Sequence, residues 1–331
     1  MSTDPSPSST VSVVIVNWNR VGFLRTALAG LRRHAHHALD IVVVDNGSAD
    51  GSAVMVRSEF PEARLIALPE NVGQCAGLNA GIEAARNDTV ISLDNDAFVV
   101  EGSIPVIVEQ FARNSRLAVL HGHIIDYDHG RDVWWWGWYG RDAKTYADTE
   151  FATPWKIAEG LCALRRSAVL GVGGFPDEYF IMEAGRDLAI RLVDAGYELR
   201  YHPAVAFRHM AALERVHDDR ARLHGDQRMY YKIRNELWTL WKHYPLGRAI
   251  VGTSAKLVTG AVLMTGRRGL PTYFRAVRDA FAGLPAARRR RRPVSRRTLR
   301  QVEYSRVHAV RRLREVMSWY YAPARAAGRQ P

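Results

Sequence analysis

Short apolar runs alternate with segments of helical periodicity between residues 11 and 94, and this alternation restricts the fold more than any other feature. The apolar runs, each of five or six residues, are 11–16, 40–45, 64–68 and 90–94. The segments between them predict helices at 20–33, 51–58 and 74–86. Apolar strands that alternate with amphipathic helices form a parallel sheet covered on both faces. We therefore predict an α/β fold with a mostly parallel sheet flanked by helices.

Polar side chains follow three of these predicted strands. Asn17 and Asn19 come directly after the first strand, Asp45 ends the second, and Asp94 ends the fourth. Ligands of open α/β sheets bind beyond the carboxyl ends of the strands. We therefore expect these four side chains to converge on one site.

The sequence Asp94-Asn95-Asp96 places two carboxylates close together, and their repulsion costs energy unless a positive charge lies between them. Alternate residues of an extended segment point the same way, so both carboxylates can face one ion. Hard oxygen ligands suit Mg²⁺ or Mn²⁺, and Mg²⁺ often shares its coordination shell with substrate phosphates. The alternative for so short a motif is a solvated turn.

The segment PENVGQCAGLNAGI (69–82) spans a predicted strand-to-helix turn and includes Asn71, Gly73 and Asn79. Glycine lets the backbone approach a ligand closely, and a helix N-terminus favours anions. These three residues are therefore candidates for binding an anionic ligand. A plain Asn/Gly turn with tight helix packing is the alternative.

Beyond residue 117 the pattern is less regular. The aromatic segment VWWWGWYG (133–140) predicts either buried core or a platform on which an acceptor sugar stacks. A helix is predicted at 184–195, ended by Gly196. We predict two short strands around Pro203 within residues 197–209. Beyond about residue 215 we predict a mainly helical chain.

Seven segments carry a resemblance to family 2 glycosyltransferases of the GT-A fold, a Rossmann-like architecture, and they occur in that family's order and at about its spacing. They are VSVVIVNWNR, IVVVDNGSADGS, ENVGQCAGLNAGI, ISLDNDAFV, GLCALRRSAVLGVGGFPDEYF, DLAIRLVDAGYELRYHPAVAFRH and YYKIRNELWTLWKHYP. The resemblance covers about residues 11–245 and is greatest to the bacterial rhamnosyltransferase-like branch, which decorates polysaccharides, lipids and natural products.

This resemblance implies a nucleotide-diphosphate sugar as donor, UDP- or dTDP-linked. It implies that Asp45 hydrogen-bonds the nucleotide base or ribose, and that Asn17 and Asn19 line the same pocket. Asp94 and Asp96 match the family's D-x-D motif, with Asp96 favoured as the direct ligand of Mg²⁺ or Mn²⁺. His209, in AFRH, matches a histidine that reaches the metal or diphosphate in some relatives; a histidine without that role is the alternative.

The sequence departs from the family at the expected catalytic base, where two acids, one further residue and Asp-Leu are usual. MEAGRDLAIRL has Ala184-Gly185 in place of the acidic pair. Glu183 lies one position early, and we favour it as the base of an inverting displacement, near a positive helix end. Asp187 is the second candidate, with an i,i+4 pair to Arg191 as its structural alternative. A third outcome is a homologue or scaffold that binds the nucleotide sugar without catalysis.

Charge is unevenly distributed in a chain whose formal net charge is +12. Twelve arginines and one acid, Glu303, lie between Arg288 and Arg314. Together with an amphipathic helix at 270–284, they predict contact of 270–314 with an anionic membrane. Packing on the catalytic domain or a homodimer contact are alternatives. A nucleic-acid partner ranks low because no binding motif accompanies the arginines.

We predict a disordered tail at 1–10, a GT-A domain at 11–245 and a basic helical extension at 246–331. Two cysteines do not form a disulfide framework, and the N-terminus lacks the pattern of a signal peptide. We also expect no membrane-spanning helix. These features predict a cytoplasmic protein, with peripheral attachment to the inner face of the membrane left open. The expected acceptor is a hydroxyl of a glycan, lipid-linked compound or natural product.

Overall fold

The computed structural model describes residues 11–34, 38–126, 151–152, 156–210, 220–265 and 269–302. Its strands are β1 (Ser12–Asn17), β2 (Asp40–Asn46), β3 (Arg64–Leu68), β4 (Thr89–Asp94), β5 (Ala97–Val99), β6 (Leu117–Asp126), β7 (Phe151–Ala152), β8 (Leu161–Arg165) and β9 (Glu198–His209). Its helices are α1 (Val21–Arg32), α2 (Ser52–Glu59), α3 (Gly73–Ala84), α4 (Ser103–Arg113), α5 (Arg166–Gly171), α6 (Ala184–Asp194), α7 (Arg220–His243), α8 (Leu246–Thr265), α9 (Leu270–Ala282) and α10 (Leu284–Arg289).

One mixed sheet organises the chain, in the order β3-β2-β1-β4-β8-β6-β9-β5, with β7 paired to β9. The first four strands of this order are parallel, as the alternation of strands and helices predicts. Strand β8 pairs antiparallel with both β4 and β6, whereas β6 and β9 are parallel. The predicted α/β architecture and helical C-terminal region are confirmed.

Side chains of each central strand alternate between two cores. On β1, Val13 and Ile15 lie in one core with helices α1 and α4, whereas Val14 lies in the other with α3 and α6. This period of two is the reason that the strand reads as a continuous apolar run, since both of its faces are covered.

The prediction of two short strands around Pro203 was wrong. Residues 198–209 form the single strand β9, interrupted by an irregularity in its pairing with β6. His121 pairs with Tyr201 and His123 with Ala206, so extra residues of β9 bulge between these two pairs. Proline is tolerated at such a bulge because its missing N–H is not needed for the ladder.

The C-terminal helices pack on one another and on α6. Ile190 of α6 lies in a small core with Leu240, Tyr244 and residues of the segment 294–302. The carboxylate of Asp194 accepts hydrogen bonds from Ser295 N at 2.9 Å and from the Thr298 hydroxyl at 2.7 Å. The segment after α10 is therefore tied to the sheet domain across the boundary expected at residue 245.

Several predictions concern parts of the chain outside the described residues. They are the tail 1–10, the aromatic segment 133–140 and the end of the basic region beyond 302. Within the part that is described, no helix is both long and apolar enough to cross a bilayer.

Candidate functional site

The strand ends meet at one edge of the sheet, as the sequence predicts. Asn17 is aligned with Asp45 on the neighbouring strand, and Val16 with Asp94 on the other side. The end of β9 reaches the same edge, because His209 is paired with Ala97 directly after the D-x-D segment. The topology therefore brings together residues that lie more than a hundred positions apart in the chain.

Asp94, Asp96 and His209 form a compact group of metal-ligating side chains. One potential ligand atom from each of the three residues lies within 4.8 Å of the other two. The Nε2 atom of His209 is 3.1 Å from Oδ1 of Asp96 and 3.8 Å from Oδ2 of Asp94. The chain turns at 95–96, and both carboxylates nevertheless face the same point. Two carboxylates and an imidazole are a donor set that suits Mn²⁺, and their spacing fits one ion.

The two carboxylates of this group repel each other electrostatically. Burial and the charge of Asp96 raise the pKa of Asp94 to about 6. Burial also works to raise the pKa of Asp96, but the hydrogen bond and charge of His209 outweigh it and lower that pKa. The positive charges of Arg20 and Arg228 favour the ionised form of Asp94 and so act to lower its pKa. A divalent cation would relieve the repulsion that raises the pKa of Asp94.

Gly160 supports the position of the Asp94 carboxylate. The backbone N–H of Asp94 donates to the carbonyl oxygen of Gly160 at 2.7 Å, continuing the pairing of β4 with β8. A Cβ atom on residue 160 would lie only 1.7 Å from Oδ1 of Asp94. A residue without a side chain is therefore needed at position 160 for the Asp94 carboxylate to pack against the backbone there.

The residues proposed to line a nucleotide pocket form a buried hydrogen-bond network. The amide of Asn17 donates to Asp45 Oδ1 and to the Ser48 hydroxyl, each at 3.3 Å, and accepts from Asn95 at 2.8 Å. Asn17 and Asp45 are almost completely buried. Asn19, by contrast, is exposed, and its side-chain oxygen accepts from the backbone N–H of Ala49 at 2.7 Å. The network links the D-x-D segment to the loop after β2, so Asn17 and Asp45 shape that loop.

Asn71 and Gly73 lie at the end of β3, where they organise the start of α3. The side-chain oxygen of Asn71 accepts from the N–H of Gly73 at 2.9 Å and from the amide of Asn46 at 3.1 Å. Gly73 has a φ of 89°, and a Cβ atom there would lie 2.8 Å from the Cα of Phe180. The glycine is therefore required by the close approach of the loop that precedes Glu183.

Asn79 faces that same loop. Its amide donates to the carbonyl oxygen of Phe175 at 2.8 Å and to Asp177 at 2.6 Å, while its oxygen accepts from Phe175 N at 2.8 Å. These bonds occupy the polar atoms of Asn79. The geometry therefore favours a role for Asn79 in supporting this loop over the contact with the nucleotide-sugar donor that the sequence suggests.

Asp187 is held inside the protein by several donors at once. Its carboxylate lies 2.8 Å from Arg191 Nε, 2.8 Å from His243 Nε2 and 2.7 Å from Lys242 Nζ, and it accepts from the Tyr179 hydroxyl at 3.2 Å. Burial alone would raise the pKa of Asp187, but the charges of His243, Lys242 and Arg191 outweigh it and hold it well below its usual range. Asp187 has no exposed surface. The pair with Arg191 is present as expected, and this burial speaks against Asp187 as a base that meets substrate.

Glu183 is the N-terminal flanking residue of α6 and is also 95% buried. It adopts a left-handed backbone conformation with φ 63°, after Phe180 and Met182 at 64° and 68°. Such conformations are costly for residues other than glycine and concentrate at functional sites. Asn235 of α7 stabilises the loop by donating to the carbonyl oxygens of three residues at 2.9–3.0 Å, namely Tyr179, Ile181 and Met182.

Glu159 is an acid of this region that the sequence did not single out. Burial raises its pKa to about 7, against the lowering effect of a hydrogen bond from the backbone N–H of Gly185, and the nearby carboxylates of Glu183 and Asp94 act in the raising direction. The only local signal was an acid directly before a predicted strand. Its importance depends on the antiparallel pairing of β8 with β4, which sequence periodicity does not reveal.

Comparison with known proteins agrees with this architecture. Residues 12–172 match the model of glycosyl transferase family 2. The chain is 26% identical to an N-acetylglucosaminyl-diphospho-decaprenol L-rhamnosyltransferase of Mycobacterium tuberculosis, over 73% of this chain and 90% of the relative. It is 31% identical to an uncharacterised glycosyltransferase of Nostoc, but over only 34% of this chain and 35% of that protein.

Among solved structures, a mannosyltransferase from Pyrobaculum calidifontis in complex with GDP-Man and Mn²⁺ shares the fold. The TM-score is 0.52 at 17% identity, over 93% of this chain and 88% of the other. The similarity therefore extends beyond the segment that matches the family model, into the C-terminal helices. The similarity to glycosyltransferase family 2 is thus carried by residues 12–172 of this chain.

Proposed function

We propose that this chain transfers a sugar from a nucleoside-diphosphate sugar to a hydroxyl acceptor at the site around Asp94. The observation that carries the proposal is the convergence of Asp94, Asp96 and His209 within 4.8 Å at the carboxyl ends of β4 and β9. Ligands of open α/β sheets bind at such edges. The names of the relatives support the reaction class, since those compared are glycosyltransferases.

The residues present fit a divalent metal, and we propose Mn²⁺ or Mg²⁺ held by Asp94, Asp96 and His209. When bound, such an ion neutralises the charge that develops on a departing diphosphate. Arg20 and Arg228 lie close enough to stabilise the charged form of Asp94, so they also place positive charge on this side of the site. This charge distribution favours a diphosphate over a neutral ligand.

We further propose inversion by direct displacement. An acceptor hydroxyl is a weak nucleophile until a base takes its proton, and one suitably placed carboxylate is sufficient for this role. Of the two acids proposed from sequence, Asp187 is bound by Arg191, Lys242 and His243 and is fully buried. Glu183, which is 5% exposed and has Lys156 and Arg186 no closer than 3.9 Å, is the better candidate of the two.

A lipid-linked acceptor and a membrane surface fit the exposed faces of α8 and α9. Helix α8 has no acidic residue, and Val251 and Val258 on it are 69% and 64% exposed. On α9, Phe274 and Phe281 are 63% and 46% exposed, seven residues apart, with Arg278 between them. Exposed apolar side chains beside arginine are typical of surfaces that bind anionic lipid. We propose that this apolar–basic face meets an anionic bilayer.

A donor screen tests the proposed function directly. The full chain with Mn²⁺ is incubated with UDP-, dTDP- and GDP-linked hexoses and deoxyhexoses, with and without polyprenyl-diphosphate-linked N-acetylglucosamine, and released nucleoside diphosphate is measured. We expect release from one donor class that depends on both metal and acceptor. Nucleotide binding by calorimetry without any transfer or hydrolysis would instead favour the non-catalytic, nucleotide-sugar-binding alternative.

A further inference from the structure

The backbone of Glu159 is fixed beside the strand that ends in the candidate metal group, by the pairing of β4 with β8 and the residues before it. Leu93 is aligned with Leu161, so Glu159 and Gly160 lie beside the end of β4. The carbonyl oxygen of Gly160 accepts from Asp94 N at 2.7 Å, and the hydroxyl of Ser92 donates to the carbonyl oxygen of Glu159. The backbone of Glu159 is thus anchored to the strand that carries Asp94.

The side chain of Glu159 extends from this anchor to the beginning of α6. The backbone N–H of Gly185 donates to its Oε1 atom. A Cβ atom on residue 185 would lie 3.0 Å from that Oε1 and 2.4 Å from the carbonyl oxygen of Ile157. The carboxylate of Glu159 therefore occupies the space that a side chain at residue 185 would enter. An acid is present at this point of the site, although it comes from the segment before β8 and not from α6.

The surroundings of Glu159 suit a proton acceptor better than those of Glu183. Lys156 Nζ and Arg186 Nη1 each lie 3.9 Å from the carboxylate of Glu183, which is 5% exposed. The carboxylate of Glu159 accepts a hydrogen bond from the neutral backbone N–H of Gly185, and Glu159 is partly exposed. The carboxylate of Glu183 is thus enclosed between two cationic side chains, whereas Glu159, on which the charge of Lys156 also acts, is the more exposed residue of the two.

We propose that Glu159 is a catalytic residue of the transfer reaction, the base that takes the proton of the acceptor hydroxyl. This inference rests on the proposed function. The acceptor oxygen forms a bond to the anomeric carbon as the bond from that carbon to the diphosphate oxygen breaks. The proton passes to Glu159, and the bonding electron pair leaves with the nucleoside diphosphate. Glu183 then keeps Lys156 and Arg186 in place.

The test compares Glu159→Gln, Glu159→Asp and Glu183→Gln in the full chain, with Glu101→Gln on the exposed surface as the matched control. Transfer is followed by release of nucleoside diphosphate from the donor found active in the screen, and binding of UDP, dTDP and GDP with Mn²⁺ by calorimetry. We expect Glu159→Gln to lower the transfer rate by about 10²–10⁴-fold, the usual contribution of a general base. Nucleotide affinity should stay within about twofold, since the metal group is intact.

Glu159→Asp, which keeps a carboxylate, should retain more transfer than Glu159→Gln, and Glu101→Gln should retain wild-type transfer. Loss of transfer in Glu183→Gln but not in Glu159→Gln would assign the base to Glu183 and overturn the role of Glu159. Thermal unfolding establishes that each variant is folded. Full transfer by Glu159→Gln, or equal loss in Glu159→Asp and Glu159→Gln with nucleotide still bound, would overturn the role of Glu159 and leave the proposed function standing. A wild-type chain that neither binds nor cleaves any donor would overturn both.

Discussion

The imidazole of His243 lies 2.8 Å from the carboxylate of Asp187, joining the last turn of α7 to the first turn of α6. Lys242, the preceding residue, reaches the same carboxylate oxygen at 2.7 Å. Asp187 therefore fixes the helix that follows Glu183 to the C-terminal helical region. This relationship gives Asp187 a positioning role, in which it acts on the site through the helix.

Replacing Asp187 by asparagine should strongly destabilise the protein. The substitution leaves the charges of Lys242 and Arg191 without their buried counter-charge, which costs about 3–5 kcal/mol in comparable buried pairs. Urea unfolding followed by circular dichroism measures the difference. Glu109→Gln is the matched control, because its pair with Arg113 is largely exposed and contributes little. Equal stability of the two variants would contradict the positioning role.

The same carboxylate should make stability depend on pH in the acid range. Its pKa is held well below the ordinary value of 3.8 in the folded state, so the folded state binds fewer protons than the unfolded chain. The stabilisation is fully present above about pH 4 and is lost as pH falls through the folded pKa. Thermal unfolding of the wild type between pH 6 and pH 2.5 should therefore show a steep decline below about pH 4. The decline should be shallower in Asp187→Asn, and identical profiles would exclude this contribution.

Gly160→Ala should impair metal-dependent nucleotide binding without removing a ligand. The new methyl group would meet Oδ1 of Asp94 at 1.7 Å, so the carboxylate must leave its place in the metal group. We expect the affinity for Mn²⁺ with UDP to fall at least tenfold by calorimetry, with both metal-binding carboxylates still in the chain. Gly171→Ala is the matched control, because a Cβ atom there meets nothing within 4 Å. Unchanged affinity in Gly160→Ala would show that Asp94 is not a ligand of the metal.

Asp96→Ala removes the carboxylate that lies nearest to His209. If this group holds the metal, donor cleavage with Mn²⁺ or Mg²⁺ should fall roughly 100-fold or more, since a bound ion supplies several kcal/mol of charge stabilisation. Initial rates of nucleoside diphosphate release over a range of Mn²⁺ concentrations measure the effect. Glu83→Gln, an exposed acid on α3, should behave as the wild type. Wild-type turnover by Asp96→Ala would reject the metal assignment.

Much of the sheet was predictable because its signal is local. Strand β3 was expected at 64–68 and is observed there, and β4 differs from its expected range by one residue. The apolar runs report burial on both faces, and parallel strands place their carboxyl ends on one edge. For this reason the convergence of Asp94 with Asn17 and Asp45 followed from the sequence.

The features that periodicity did not reveal depend on contacts between distant segments, and the donor-binding role of Asn79 stays a prediction. Periodicity gave no sign that β8 pairs antiparallel with β4, and this pairing brings Glu159 to Asp94. Asn79 has the composition of a ligand-binding turn, yet its polar atoms are bound by the loop almost a hundred residues later. The bulge that accommodates Pro203 within β9 arises from pairing with β6, which the proline alone does not reveal.

The exposed face of α8 and α9 gives the last prediction. The hydroxyl of Tyr273 donates to the carbonyl oxygen of Leu257 at 2.6 Å, so the two helices are packed together and present their apolar residues jointly. Phe274→Ser with Phe281→Ser should lower affinity for vesicles with anionic lipid at least tenfold, because burying one phenylalanine contributes about 1.5–3 kcal/mol. Sedimentation with phosphatidylglycerol vesicles measures binding, and Val54→Ser, at an equally exposed position on α2, is the control. Binding of the double variant at the wild-type level, or a wild type that fails to bind, would show that this face serves another contact.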